Sequence, residues 1–560
     1  MNTPVGESSW LESFPPDIWA YFAWYLPGEQ LGRLMMTGAT RLWQRLKSPR
    51  VVKSIKLGED FIVFKSFPRF LSELCSLSEL CIHSNNDEWN RKLGLTIDSI
   101  PSGVRKLVLS GNWEKPADTL FGKDGATLKL NEHLPHLEVL EIPSLEFSKY
   151  TWLAHSPQSL TKLKLYRWNG SVELPTSLIH FEARYADIST SSFVSKLPPS
   201  LETFKVVDFS GVDLVVPLLP PSTHTLYLGD SSSCSGVISP QNLLEQLPKS
   251  LTWLEVPTSV LGSVLNPELI SLLPSTLISL DIIPTIPCSA WHLLPPQLTK
   301  LSLNIQEESL CTVTSTTTDS HGVLHEVRSI PFDSLPKSIS SLELRSSNIF
   351  LCSPPIDCNR SYFPPQLTCL ALSGVQLSPE TAKLLPSSLT FLEIPNLCER
   401  VCKHLPSRLK TLRSLPALIT PNLIKFLPKS LTFLHLSIPD YDNSWFDYNT
   451  GQTIESVSEL EEYSIHKSCT SHSFDWKDHS PLPSTLTELH ISDAIELGDT
   501  FLQHQQLPNL IELDLRDSKH FTDLSIPLLP PHLTVLELAA SQKISGKSFE
   551  FLPRSLTRLN

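Results

Sequence analysis

The residues of this chain best suited to chemistry are Cys398, Cys402 and His404, because thiolates and an imidazole set close together are zinc-type ligands. Cys-x3-Cys is not the spacing of a zinc knuckle, however, and no second pair follows, so no metal site is expected. The 11 cysteines are scattered, odd in number and mostly placed where a small hydrophobe would stand, as Cys369 is, which fits a reducing compartment without disulfides. Asn169-Gly-Ser and Asn359-Arg-Ser match glycosylation acceptors, yet Met1 to Trp10 lacks the charged and then apolar segments of a secretory leader. Gly-x-Ser-x-Gly, His-Glu-x-x-His and Gly-rich phosphate loops are missing, and the 18 histidines stand without a neighbouring nucleophile. The expectation is a chain that is not an enzyme and takes no cofactor.

Residues that do not react can still bind, and what they bind depends on the elements that carry them. The 560 residues are enough for several ordinary domains unless an internal repeat accounts for the length. Hydrophobic residues make up 41% and charged residues 18%, which supports a continuous core rather than disorder. The net charge of -13 argues against binding nucleic acid through the overall field. No run of 18 apolar residues occurs, so no membrane span is expected and the chain reads as cytoplasmic or nuclear.

One phrase recurs down the chain: Leu-Pro-x-Ser-Leu-Thr-x-Leu-x-Leu. It stands as LPKSLTWLEV at Leu247, LPPQLTKLSL at Leu294, LPSSLTFLEI at Leu385, LPKSLTFLHL at Leu427, LPSTLTELHI at Leu482 and LPPHLTVLEL at Leu529. Alignment on the apolar residue after the serine gives anchors at Leu137, Leu160, Leu178, Leu201, Thr223, Leu251, Leu277, Leu298, Ile339, Leu367, Leu389, Leu409, Leu431, Leu486, Leu510, Leu533 and Leu556. Weaker copies at Leu77 and Val104 bring the total to about nineteen, mostly 18 to 28 residues apart. The alternation in Leu254-Glu255-Val256 predicts a short strand with its middle residue facing out. Ser239-Pro240, Asn266-Pro267, Ser378-Pro379 and Thr420-Pro421 each place a capping side chain before a proline, which predicts a two-turn helix stopped by Pro248, Pro274, Pro386 and Pro428. The 47 prolines are therefore punctuation, not disorder.

Over about residues 75 to 560 this pattern resembles the leucine-rich repeats. The resemblance implies an α/β solenoid: a parallel sheet on the concave face, short helices on the convex face and one leucine core running through all repeats. About nineteen strands at ~4.8 Å spacing would span an arc of about 90 Å, enough to hold a protein. One departure matters. The asparagine common in the family after the last core leucine is replaced by Gln306, Ala494, Ser518 and Ser541, so the usual asparagine ladder is in doubt, and the turn is set by Pro-Ser before the strand. Residues 58–560 are assigned to the solenoid, with insertions near 304–334 and 438–481. The second insertion carries Tyr441, Trp445, Phe446, Tyr448, Tyr463 and Trp476, and is either a partner-binding loop or packed locally. The sequence stops inside a strand at Leu559-Asn560, which leaves either a missing segment or a bare strand edge to close the array.

Residues 1–9 read as a flexible N-terminus, and residues 10–57 do not carry the repeat. Ile18, Phe22 and Leu26 at helical spacing, then Leu31 and Leu34, then Leu42 and Leu46, predict three short helices. Phe14-Pro15, Ile18, Leu26-Pro27, Leu31, Leu34 and Trp43, in that order, resemble an F-box, with Phe14 in place of the family's leucine. The resemblance implies docking on a Skp1-like adaptor through Phe14, Pro15, Ile18, Leu26, Pro27 and Leu31, with the repeats selecting a protein substrate for an SCF-type cullin ubiquitin ligase. The alternative is a helical cap on a stand-alone protein-binding scaffold. In either case the chain is expected to act as a monomer within a larger complex, without nucleic acid or membrane.

The outward strand residues map the expected partner face. Lys162, Lys164, Tyr166, Arg184 and Lys205 give a basic, aromatic-edged end; Tyr227, Trp253, Glu255, Asp281, Glu343, Phe391, Glu393, His435, Glu488, His490, Glu512, Asp514 and Glu537 give an acidic remainder.

Overall fold

A computed structural model describes residues 53–57, 67–84, 95–111, 129–142, 153, 155–168, 173–187, 197–210, 212–229, 239–305, 313–318, 324–328, 330–346, 362–373, 377–395, 397–414, 421–437, 481–492, 498–516, 521–539 and 543–560. The chain forms two compact units, Met1–Pro284 and Thr285–Asn560. In the first, ten strands pair in chain order, all parallel: β1 (Ser54–Leu57), β2 (Glu79–Ser84), β3 (Lys106–Gly111), β4 (Val139–Ile142), β5 (Lys162–Trp168), β6 (His180–Asp187), β7 (Thr203–Ser210), β8 (Thr225–Leu228), β9 (Trp253–Val256) and β10 (Ser279–Thr285). In the second, β11 (Lys300–Ile305) pairs parallel with β14 (Ser341–Ser346), and the antiparallel hairpin β12 (Val313–Thr318) and β13 (Leu324–Arg328) is inserted between them. That sheet continues through β15 (Cys369–Ser373), β16 (Phe391–Glu393), β17 (Thr411–Ser414), β18 (Phe433–Ser437), β19 (Glu488–Ser492), β20 (Glu512–Asp514), β21 (Val535–Glu537) and β22 (Arg558–Leu559).

Each copy of the phrase supplies one strand, and corresponding residues stand side by side: Leu254 opposes Leu226 and Leu280, and Leu392 opposes Leu370 and Leu412. Every anchor from Leu77 to Leu533 is wholly shielded from solvent. Thr223, the polar exception, satisfies its buried hydroxyl by donating to the Leu201 carbonyl at 3.2 Å. The 304–334 insertion contains the β12–β13 hairpin. The insertion near 438–481 leaves the pairing intact, since Phe433 still opposes Glu488; its own structure, up to residue 480, lies outside the described residues.

The residue before a proline is disfavoured in helical conformation, so Leu247 before Pro248 and Leu427 before Pro428 leave the helix and turn into the core. A four-residue turn follows, closed from the Leu251 N–H to the Pro248 carbonyl at 3.2 Å. The serine then reaches back to the preceding repeat and donates toward two of its carbonyls: Ser222 Oγ lies 2.8 Å from Pro199 O and 2.9 Å from Leu201 O. Ser200, Ser250, Ser338, Ser388 and Ser555 repeat this contact, and threonine makes it at Thr276 and Thr485. Next, the threonine and the residue after it converge on one carbonyl: the Thr252 N–H, the Trp253 N–H and Thr252 Oγ1 all point at His224 O, at 2.8, 3.0 and 3.1 Å. A hydroxyl ladder ahead of the strand thus performs the task expected of the asparagine ladder behind it. Ser222→Ala should lower stability by about 1 kcal/mol in urea unfolding, whereas Ser222→Thr should leave it near the parent value.

Two expectations need correction. Among the described residues the sheet begins at Ser54, not at residue 58: Ser54–Leu57, assigned by sequence to the helical module, is strand β1, because Ile55 and Leu57 alternate into the core beside Leu80 and Ile82. The expected two-turn helices are only four to six residues long at Pro240–Glu245, Pro267–Ile270, Pro379–Ala382 and Pro421–Lys425, since the leucine before the corner proline pulls the chain inward early. Their starts fall where expected, and Asn266 and Ser378 accept the Leu269 and Thr381 N–H groups as caps. The Ser239 side chain makes no such bond, and Thr420 lies outside the described residues, as do residues 10–52 with all six expected docking positions. Among the described residues no helix is long and apolar enough to cross a membrane.

Candidate functional site: the polar face of the sheet

Because the register is strict, the outward residues form rows running across the strands. In the first unit one row contains Glu141, Lys164, Glu182, Lys205, Tyr227, Glu255 and Asp281 on β4 to β10. Lys164 Nζ lies 2.8 Å from Glu182 Oε1, Lys162 Nζ lies 2.7 Å from Glu141 Oε1, and Lys205 Nζ stands 4.3 Å over the Tyr227 ring. The lysines expected to form a basic end are therefore interleaved with carboxylates. Like charges at ~4.8 Å spacing would repel, and alternation removes that cost. Burial raises the Tyr227 hydroxyl above its ordinary range, reinforced by the charges of Glu255 and Asp281. Glu182→Lys would place three lysines side by side, and should destabilise this unit by about 1 to 2 kcal/mol at low salt, with much of the loss recovered at 1 M salt.

At the far end of β5 and β6 the alternation shifts by one, so Trp168 and Ala186 turn inward and both Tyr166 and Arg167 stay on the accessible side. Tyr166 and Tyr185 meet edge to face at 5.1 Å, and the guanidinium carbons of Arg167 and Arg184 stand 5.7 to 5.8 Å from both rings. Trp253 stands 48% exposed above Glu255, a large apolar group presented outward from a strand.

The acidic remainder also needs revision. On the second unit Arg413 lies between Phe391 and Phe433, its guanidinium carbon 5.7 and 5.1 Å from the rings, and reaches Glu393 at 3.8 Å. Arg345 holds Glu343 at 2.7 Å, Arg558 pairs with Glu537, and Arg516 grips Asp514 through Nε at 3.0 Å and a terminal nitrogen at 2.7 Å. Asp514 is thereby shielded; burial alone would raise its carboxyl, but the Arg516 bonds outweigh this and hold it below the ordinary carboxylate range. These arginines were overlooked because each sits two residues along its strand or one repeat away from its acid.

The strongest convergence is on β18 to β20. The ring of His490 stands 5.2 Å from Phe433 and 5.4 Å from His435, its Nε2 is 3.4 Å from Glu512 Oε1, and its Nδ1 is 3.9 Å from Asp514 Oδ2. Burial, with the neighbouring His490 and Arg413, holds His435 below the ordinary imidazole range, so it is neutral at pH 7. Glu488, His490 and Glu512 bring three potential ligand atoms within 4.8 Å of one another; among the described residues no other set of His, Cys, Asp and Glu converges so closely. Cys398, Cys402 and His404 do not. Cys402 lies buried in the helix Glu399–Cys402, and burial, with Cys398 and Glu399 nearby, raises its thiol far above the ordinary value and keeps it protonated. Sequence reading placed Glu488, His490, Glu512 and Asp514 on the outward face but did not combine them; superposing the anchors Leu486 and Leu510 would have set Glu488 beside Glu512.

No family profile and no curated protein matches this sequence. Many solved structures bear a likeness to it, two of which follow. One is CroV588, described as a circular leucine-rich-repeat protein, at 17% identity and a TM-score of 0.34, over 93% of this chain and 67% of that one. The other is the complex of TLR13 with ssRNA13, at 15% identity and 0.38, over 88% and 79%. The evidence for the fold lies in the chain itself: one parallel strand per repeat, leucines in register and hydroxyl corners between them make each unit a stack of leucine-rich repeats.

Proposed function

We propose that the chain is a recognition scaffold without catalytic residues of its own, and that it serves as the substrate-binding subunit of an SCF-type ubiquitin ligase. One observation carries the scaffold reading. The positions that recur from repeat to repeat build the core and the corners, whereas the outward strand positions vary and line the polar sheet face of each unit, in rows of one residue per strand. A framework held constant beneath a varied face is how repeat stacks present binding surfaces. Ion pairs and cation–π contacts fix the long side chains of each face, which lowers the entropy lost when a partner settles on Tyr227 and Trp253 of the first unit or on Phe391 and Phe433 of the second.

The ligase half rests on the order Phe14-Pro15, Ile18, Leu26-Pro27 and Leu31 ahead of the repeats. Its test is capture of purified Skp1 by the intact chain and by a Leu26→Asp, Leu31→Asp variant. Capture by the parent alone supports the role, because an unpaired carboxylate is not tolerated in a dry apolar contact. If the parent fails to bind Skp1, the ligase role is rejected and the chain is a stand-alone scaffold.

A further inference from the structure

We propose that Glu488, His490 and Glu512 form a binding site for a divalent transition-metal ion of the zinc class on the polar face of the second unit. Strands β19 and β20 run parallel in register, with Glu488 beside Glu512 and His490 beside Asp514. Two carboxylates directly opposed on neighbouring strands repel, and a cation bound by both removes that cost. The other opposed acids nearby, Asp514 and Glu537, each hold an arginine, Arg516 and Arg558. Glu488 and Glu512 have the imidazole of His490 beside them, with one ligand atom of each of the three within 4.8 Å of the others.

The distance between His490 and Glu512 suits a metal better than a hydrogen bond. His490 Nε2 and Glu512 Oε1 are 3.4 Å apart, longer than the roughly 2.7 to 2.9 Å of a charge-assisted hydrogen bond. Two ligands each about 2.0 to 2.1 Å from a tetrahedral ion are themselves about 3.3 Å apart. His490 Nε2 is also shielded from solvent and has no hydrogen-bond partner, an unusual condition for a ring nitrogen flanked by carboxylates. On the opposite edge of the ring, Nδ1 faces Asp514 Oδ2, and Arg516 anchors that carboxylate. A carboxylate hydrogen-bonded behind the second nitrogen is the usual device that orients a metal-bound imidazole; at 3.9 Å Asp514 makes no such bond, and it acts as a positioning residue only if the ring closes on it when the ion binds.

One imidazole and two carboxylates leave a fourth position, and Glu512 remains 31% exposed, so water or a group from a partner can complete the shell. The two carboxylates balance the charge of the ion. The site does not depend on the ligase reading, since it uses the repeat unit alone.

The experiment uses the full chain, stripped with chelator and titrated with Co2+ as a spectroscopic probe, followed by displacement with Zn2+ in a calorimeter. One equivalent of Co2+ with the visible bands of a four-coordinate ion, and no thiolate charge-transfer band, is the expected result. His490→Ala and the near-isosteric Glu512→Gln should each weaken binding at least a hundredfold, Asp514→Asn about tenfold; Cys398→Ala with Cys402→Ala should leave it unchanged. Circular dichroism of each variant separates loss of the site from loss of the fold, and Glu512→Gln serves if His490→Ala does not fold. No Co2+ band, a band that survives Glu512→Gln, or one that vanishes with the cysteines would overturn the proposal and leave His490 as an ordinary ion-pair partner of Glu512 and Asp514.

Discussion

Replacing Phe181 with alanine is expected to lower the free energy of opening of β5 to β7 by about 3 to 5 kcal/mol, the range for deleting a fully buried phenyl ring. Phe181 is wholly shielded, between Trp168 at 5.0 Å and Phe204 at 5.6 Å, and Trp168 and Phe204 also meet at 6.1 Å. Three aromatic side chains from three consecutive repeats thus close one section of the core, and neither of the other two can fill the vacancy without leaving its own contacts. Because each repeat touches mainly its neighbours, the loss should stay local. Hydrogen exchange of the β6 amides should accelerate at least a hundredfold, with β1 and β2 little changed. Uniform acceleration throughout this unit would mean that it opens as one cooperative block.

A single added methyl group should do comparable damage at Gly229. Its N–H donates to the Val206 carbonyl at 2.7 Å, and a Cβ there would stand 2.0 Å from the Val207 oxygen and 2.6 Å from its carbonyl carbon. These are backbone atoms, so no rotamer change relieves the overlap, and β7 and β8 must separate at that end. Gly229→Ala is expected to cost about 3 kcal/mol in urea unfolding. By contrast, Gly262→Ala meets no atom within 4 Å, and its cost would come from the backbone angle of φ 81 alone. If Gly229→Ala unfolds at the parent midpoint, the close approach of these strands is wrong.

How much of this was legible in the sequence follows from where each partner sits. Leucines must recur at the repeat period to fill one core, so the anchors from Leu77 onward could be read from the chain alone, whereas strand β1, which carries no copy of the phrase, could not. The proline corners were equally plain. The reach of the serine hydroxyl was not, because its two carbonyls lie more than twenty residues upstream and only the folded turn brings them near. The charge map failed for the same reason: Lys164 looked basic until β6 set Glu182 beside it, and Asp514 looked available until Arg516 folded over it. Helix length is not legible in the spacing of capping residue and proline, because the leucine before the corner proline draws the chain out of the helix before the proline is reached. The histidine and carboxylate cluster stayed hidden because Glu512 stands a repeat away from Glu488 and His490 in linear order, whereas the sheet makes them neighbours.

Strand register is the premise on which the rows, the ladder and the metal site all depend, and paired cysteines test it directly. Parallel neighbours about 4.8 Å apart fall within the span a disulfide bridges, whereas residues two strands apart, at about 9.6 Å, do not. Mild oxidation of a Lys164→Cys, Glu182→Cys chain should therefore give an intramolecular disulfide joining those two peptides by mass spectrometry, and a Lys164→Cys, Lys205→Cys chain should give none. A bridge in the second chain, or its absence in the first, would contradict a sheet with one in-register strand for each repeat.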